Sequence, residues 1–314
     1  MAISKLLLQA LNQAKTNVKW IDTHPDPEFL HDLRTSMRKA KATLHYFESS
    51  IAQVGTETFQ SELAYFMRQT SNPRNFEVLT MKLQEMTGPA AKLPSYPRIL
   101  KHCQDETELQ YEHLTEEFAS ARFEAFLAEW SRVAGRASTI SLKLPYSSES
   151  GAFKLQNPHI QTDELLPPEQ TFYEALTKMS STLENDLRQQ LKQLAKLKSA
   201  KKLHDIRKNF RNYKYLVEMV LYAWDQNKFS THYPQIKKLV GWLGDLHDLY
   251  LEERLVQMLK CQDPLCQEEG ARLSALFNAE YRLQLDQIRK RLKTLNRIDF
   301  QFDVSPISNP VIRK

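Results

Sequence analysis

Glycine and proline are scarce in the parts of this sequence where long helices could form. The chain has seven glycines in 314 residues, against a usual share of about 7%. Proline is absent from residues 98–144, 169–233 and 265–305, and a proline inside a helix removes a hydrogen bond and clashes with the preceding turn. Together with 41% hydrophobic residues, these gaps predict an all-α protein built from helical bundles.

Cysteine and long apolar runs are also lacking. The three cysteines, Cys103, Cys261 and Cys266, show no CxxC spacing, which argues against a disulfide framework and a structural zinc site. No apolar run approaches the roughly 18 residues that span a bilayer, and Leu6 to Leu8 is too short for a signal-peptide core. The sequence therefore predicts a soluble, cytoplasmic protein without cofactor or metal. Its net charge of +5 is too small to indicate a polyanionic partner by itself.

One basic stretch occurs twice. Residues 31–41 and 204–214 both place His, Asp, Arg, Arg and Lys at relative positions 0, 1, 3, 7 and 10. On an α-helix, positions 0, 3, 7 and 10 lie within roughly 80° of one another. Each copy therefore predicts a stripe of donors for an anion. The stripes consist of His31, Arg34, Arg38 and Lys41, extended by His45, and of His204, Arg207, Arg211 and Lys214.

The offset of 173 positions, from His31 to His204, also relates other parts of the chain. It pairs Lys5 with Lys178, Lys15 with Arg188, Lys19 with Lys192, Asp26 with Ser199, and Arg74-Asn75 with His247-Asp248. One register that fits separate places predicts an internal duplication into two four-helix-type up-down bundles with pseudo-twofold symmetry. The predicted units are a first bundle over 1–135, a connector over 136–168, a second bundle over 169–298 and a tail over 299–314.

The helices are expected from periodicity and from capping residues. The first half predicts helices over about 3–20, 27–50, 57–70, 75–87 and 97–134, and the second over about 169–196, 200–227, 232–244, 247–261 and 267–297. Asp26 is expected to cap the first His helix, with Pro27 in its first turn. Alternating apolar residues predict a short strand-like segment over Thr139 to Leu144.

The basic stripes have ordinary explanations as well. Basic residues at helical spacing most often form a solvated face, and this interpretation stays open for Lys5, Lys15, Lys19 and their partners, which could instead line a basic groove. The last helix adds Arg289 and Lys293. In the His helices the charges are bordered by apolar residues rather than carboxylates, which favours a binding role. Pairing with acidic helices inside the bundle is the alternative.

An enzymatic interpretation is the weaker one. Three His-Asp pairs, at residues 31–32, 204–205 and 247–248, suggest a helical metal-dependent phosphohydrolase in which such pairs hold the metal. Arginines at positions 3 and 7 of the repeat would repel a divalent cation. No Walker-type loop, GxSxG or nucleophile and base arrangement is visible. The sequence therefore favours a protein that is not an enzyme.

Three stretches together resemble a known family. They are His31-Asp32-Leu33-Arg34 with Arg38 and Lys41, His204-Asp205-Ile206-Arg207 with Arg211, Lys214 and Tyr215, and Leu243-Gly244-Asp245-Leu246-His247-Asp248. Over roughly residues 3–297 the chain resembles the CHAD family, the conserved histidine α-helical domain. The Leu-Gly element of this family usually continues as Arg-Asp, whereas here it reads His-Asp.

The resemblance implies paired four-helix bundles with the His helices near the centre and a basic surface or pore that binds inorganic polyphosphate. The chain is similar to stand-alone members, so the expected function is non-enzymatic polyphosphate binding, in association with polyphosphate granules or polyphosphate-metabolising enzymes. RNA is the alternative ligand, and it is less favoured because few aromatic residues border the stripes. The predicted contacts are Lys15, Lys19, His31, Arg34, Arg38, Lys41, His45, Arg74, Arg188, Lys192, His204, Arg207, Arg211, Lys214, His247, Arg289 and Lys293.

Overall fold

The computed structural model describes residues 2–23, 26–86, 90–94, 96–139, 187, 189–190, 200–223, 233–258 and 264–295. In these ranges the regular elements are helical, and the all-α prediction is confirmed. The α-helices are α1 (Ala2–Thr23), α2 (Pro27–Tyr46), α3 (Glu48–Ile51), α4 (Glu57–Gln69), α5 (Ser71–Glu85), α6 (Tyr96–Phe118), α7 (Ala121–Arg136), α8 (Ala200–Ala223), α9 (Tyr233–Met258) and α10 (Pro264–Leu295). None of them is both long and apolar enough to cross a membrane.

The first His helix, α2, begins as its sequence predicts. The side chain of Asp26 accepts a hydrogen bond from the backbone N–H of Glu28 at 2.9 Å, and Pro27 occupies the first turn. This satisfies a backbone donor that the helix itself leaves unpaired. The helix ends at Tyr46 rather than at about residue 50, because the chain turns at Phe47 before the short α3.

The predicted single helix over 97–134 is wrong. The chain breaks after Phe118, and Ser120 adopts an extended conformation with its side chain accepting from the backbone N–H of Phe123 at 3.2 Å. A serine that caps a new helix competes with continuation of the old one. The rings of Phe118 and Phe123 pack 4.7 Å apart across the break, which fixes the angle between α6 and α7.

The predicted break between 244 and 247 is also wrong, because α9 runs without interruption from Tyr233 to Met258. Gly244 weakens a helix by about 1 kcal/mol relative to alanine, but tertiary packing exceeds this cost. Leu243, Leu246 and Leu249 on either side of it are buried. The continuous helix places His247 and Asp248 in its middle rather than at an N-terminus.

The main hydrophobic core is shared by both halves of the chain. In the first half, Phe59, Phe66, Phe126 and Trp130 form an aromatic cluster between α4 and α7, and the indole N–H of Trp130 donates to the carbonyl of Leu7 at 3.1 Å. The same core continues into α8 and the first half of α9. A second, smaller core joins α5 and α6 to the rest of α9 and α10.

The two His helices, α2 and α8, contact each other, and α5 contacts α9. The offset of 173 positions pairs α2 with α8 and α5 with the second half of α9, so each contact joins an element to its own counterpart, as expected at a twofold axis. The duplication, the two-bundle division and the domain bounds stay predictions. The connector and the strand-like segment beyond residue 139, most of 169–196, and the tail over 299–314 lie outside the described residues.

Candidate functional site: an arginine-lined cavity

A cavity of about 430 Å³ lies where α2, α5, α8 and α9 meet. Its basic lining consists of His31, Arg34, Arg38, Arg74, His204, Arg207, Arg211 and His247. The remaining lining residues are Met67, Ser71, Asn75, Val78, Asp248, Leu251 and Glu252. The structure thus brings the first three residues of each predicted stripe to one cavity. Arg74 and His247, which the offset of 173 positions pairs, lie in the same cavity.

Arg34 is held in position by the end of α4. Its Nη1 donates to the carbonyl oxygen of Met67 at 3.1 Å and to the hydroxyls of Thr70 at 2.7 Å and Ser71 at 3.3 Å. A cation is favoured at a helix C-terminus, where carbonyl groups lack helical partners. The Nε of Arg34 is buried without a hydrogen-bond partner among the described residues, so this guanidinium retains unused donor capacity beside the cavity.

The other arginines of the stripes are less completely paired. Arg211 also has a buried Nε without a partner in the described part of the chain. Arg207 lies near Asp248, with its Nη2 3.8 Å from Oδ1 of that residue, which is beyond hydrogen-bonding distance; the charge of Asp245 also acts on it. Buried cations are ordinarily paired because isolated ones are costly. The cavity therefore holds an excess of positive charge.

The pKa values of the arginines reflect this crowding. Burial, followed by the charges of Arg38 and Arg211, lowers the pKa of Arg34 to about 9. Burial, and then Arg38, lowers the pKa of Arg211 to about 10, although Tyr215 opposes the change. Both guanidinium groups remain charged at neutral pH. An anion that entered the cavity would relieve their mutual repulsion.

The histidines of the site carry no charge at neutral pH in the free protein. Burial, and then the charges of Arg207 and His204, lower the pKa of His247 to about 3. The rings of His204 and His247 lie 4.8 Å apart. Burial and nearby arginines also lower the pKa of His31 and of His204. Each neutral imidazole can still donate one N–H to an oxygen of a ligand.

Arg74 is positioned by a separate network on α5. Its Nη1 donates to the carbonyl of Pro27 at 3.2 Å and to the carboxylate of Glu77. Glu77 also accepts a hydrogen bond from the hydroxyl of Tyr111, and burial raises its pKa despite both donors. This network holds one cation of the cavity in place from outside the His helices.

The other predicted site residues that the structure describes fully are Lys15, Lys19, Lys41, His45, Lys214 and Arg289, and none of them lines the cavity. Lys15 and Lys19 are exposed on α1. Lys214 pairs with Glu218 at 3.4 Å, and Arg289 pairs with Asp286 at 2.8 Å. Arg188, Lys192 and the side chain of Lys293 lie outside the described residues. Contact of all these residues with a ligand stays a prediction.

Sequence reasoning did not place the acidic residues of the cavity. Burial raises the pKa of Glu252 to about 7, although Lys82 lies 3.2 Å away and lowers it. Burial also raises the pKa of Asp248, opposed by Arg207. Asp248 and Glu252 are one helical turn apart, a spacing that was already visible in the predicted helix over 247–261. Among the described residues, no group of three His, Cys, Asp or Glu side chains could hold a metal ion.

The fold and the site together define an all-α protein whose two His helices meet at a cationic cavity. A family model for the CHAD domain matches residues 5–257, and the chain therefore belongs to the CHAD domain family. The fold resembles that of the CHAD domain from the plant Ricinus communis, with a TM-score of 0.70 and 16% identity over 99% of this chain and 93% of that one.

A second solved structure with this fold is PptA from Streptomyces chartreusis. Its TM-score is 0.57 and its identity 14%, over 93% of this chain and 97% of that one. At such identities the likeness shows the fold alone. No curated protein matches the sequence.

Proposed function

We propose that this protein binds inorganic polyphosphate in the arginine-lined cavity and catalyses no reaction on it. The observation that carries the proposal is the convergence of five arginines on one cavity of about 430 Å³. Burial lowers the pKa values of Arg34 and Arg211 in this group, and the charge of Arg38 lowers both further. Folding brings these arginines together against their mutual repulsion, and a bound anion would relieve that repulsion.

A linear phosphate chain fits the chemistry of the lining. Guanidinium groups bind phosphate oxygens through two parallel N–H donors, and the arginines come from three different helices, so they can contact successive phosphates. The neutral imidazoles of His31, His204 and His247 add further N–H donors without adding repulsion. Membership in the CHAD domain family supports the same ligand class.

The lining favours polyphosphate over single-stranded RNA. None of the fifteen lining residues is a Phe, Tyr or Trp, whereas single-strand binders commonly stack bases on aromatic side chains. A polyphosphate chain has no bases and loses nothing from this absence. We propose that the same surface associates the protein with polyphosphate granules or with polyphosphate-metabolising enzymes.

The direct test is a titration of wild type and charge-reversal variants with long-chain polyphosphate at several salt concentrations. Arg34→Glu and Arg207→Glu are each expected to weaken binding about 100-fold or more, because each removes a donor and adds a repelling charge. Lys5→Glu on α1 is the matched control and should cost much less. Wild-type affinity should fall steeply with salt through counterion release.

Two results would contradict the proposed ligand or its site, and a third the absence of catalysis. One is equal weakening by the Lys5 and Arg34 reversals, which would place the binding surface elsewhere. The other is displacement of polyphosphate by single-stranded RNA at equal charge concentration and fixed salt, which would make RNA the preferred ligand. Release of phosphate from polyphosphate by the purified protein would overturn the non-enzymatic part.

A further inference from the structure

A pair of lysines extends the cationic surface beyond the cavity at one end of the α2–α8 seam. Lys41 follows Arg34 by seven residues, about 10 Å along α2, and shares its face of the helix. Lys208 comes directly after Arg207 on α8. Both lysines are exposed, and neither makes a hydrogen bond or an ion pair with any residue that the structure describes.

The charges of the two lysines act on each other and on residues beside the cavity. Partial burial, and then the charges of Lys208 and Arg211, lower the pKa of Lys41. Lys41 follows Arg38, which lines the cavity, by three residues, or about 4.5 Å along α2, so it lies beside the cavity on the same face of the helix. Lys208 and Lys41 also lower the pKa of His45, after burial and against the effect of Glu48.

At the opposite end of the seam, the lysines are paired with a carboxylate. The offset of 173 positions pairs Lys41 with Lys214, Lys208 with Thr35, and His45 with Glu218. The carboxylate of Glu218 lies 3.4 Å from Nζ of Lys214 and 3.5 Å from Nζ of Lys39. It also accepts a hydrogen bond from the hydroxyl of Tyr233 at 2.7 Å. One end therefore offers two cations without a partner among the described residues, and the other end a carboxylate whose lysines are already paired with it.

We propose that a polyphosphate chain leaves the cavity in one direction only, across Lys41 and Lys208, and that this pair makes the protein prefer long chains to short ones. The inference rests on the proposed function. It adds to that function the contacts that distinguish long polyphosphate chains from short ones. A chain that fits entirely within the cavity gains nothing from the pair, whereas a longer chain places further phosphates against it. At the other end, Glu218 already pairs with the two lysines that a chain leaving that way would meet.

The test compares two double variants on two ligands. Lys41→Gln/Lys208→Gln removes the proposed contact. Lys39→Gln/Lys214→Gln is the control, because it removes the same net charge from the same two helices at the end where both lysines pair with Glu218. Each protein is titrated with long-chain polyphosphate and with tripolyphosphate at one fixed salt concentration. Thermal denaturation of each variant verifies that it is folded.

The first variant is expected to bind the long chain about fivefold more weakly, which corresponds to two exposed charge contacts of modest strength. Its affinity for tripolyphosphate should change less than about twofold. The control variant should change less than about twofold for both ligands, because both of its lysines pair with Glu218. The inference thereby removes Lys214 from the contacts that the sequence predicts.

Three outcomes would overturn the inference while leaving the proposed function intact. These are no loss of long-chain affinity in Lys41→Gln/Lys208→Gln, an equal loss for tripolyphosphate in that variant, and an equal long-chain loss in the control. Failure of the wild type to bind either ligand would instead overturn the proposed function, and the inference with it.

Discussion

Replacing Arg211 by methionine is expected to stabilise the free protein while weakening its binding of polyphosphate. The guanidinium is half-buried, its Nε has no partner among the described residues, and its pKa is lowered well below the ordinary value for arginine, to about 10. At about 1.36 kcal/mol for each pH unit, the charged form is disfavoured by about 3 kcal/mol. Since water relaxes part of this cost, we expect a gain of about 1–3 kcal/mol in the free energy of unfolding, within the range seen when buried charges are replaced by apolar residues.

The sign of the effect is set by the direction of the pKa change. The folded state disfavours the proton on Arg211, so its destabilisation is fully present below a pH of about 10 and is relieved only as the pH rises toward 12.5. Wild type and Arg211→Met should therefore differ by the same amount at pH 8 and pH 9, where His204 and His247, whose pKa values Arg211 lowers, are neutral in both proteins. Urea denaturation in a chloride buffer without phosphate measures the difference.

Arg34→Met is the matched control in the same cavity. Nη1 of Arg34 makes three hydrogen bonds, to Met67, Thr70 and Ser71, so its removal costs contacts that offset the relief of repulsion. This variant should gain less than Arg211→Met, or lose stability. If Arg211→Met were less stable than the wild type in the absence of ligand, the cavity would not hold excess positive charge, and the central argument for an anion ligand would fail.

Three further predictions concern the acid residues of the site and the start of α2. Asp248→Asn removes the carboxylate 3.8 Å from Arg207 and should strengthen polyphosphate binding about fivefold at pH 8, measured by calorimetry; weaker binding would mean that Asp248 orients the arginine rather than competing with the ligand. Glu252 has a pKa of about 7, which a bound polyanion would raise further, so wild-type affinity should rise as the pH falls from 8 to 6. Glu252→Gln should flatten this dependence, and an unchanged pH profile would count against the role of Glu252. Asp26→Ala removes the cap on the N–H of Glu28 and should cost about 1 kcal/mol of unfolding free energy, so an unchanged urea midpoint would contradict the capping argument.

Local features were predictable because they depend on neighbouring residues. The start of α2 follows from an aspartate before a proline, and the stripe from the 3.6-residue period of a helix. The breaks were predicted less well, since capping at Ser120 and continuity through Gly244 depend on whether local preference or tertiary packing prevails. In the first case the serine cap and the Phe118–Phe123 contact prevailed. At Gly244, packing of the buried leucines around it kept the helix continuous.

The sequence by itself determined that the chain is helical and that two of its helices carry matching rows of His, Arg and Lys, because helical period and proline placement are local properties. Only the tertiary structure decided which of these cations meet. Contact between α2 and α8 brings arginines 173 positions apart into one cavity. Glu218 pairs with Lys214, whereas the counterpart Lys41 has no ion-pair partner in the described part of the chain. Repulsion and desolvation depend on distance through space and on burial. For that reason, equivalent residues of the two stripes differ in charge environment although their sequence pattern is the same.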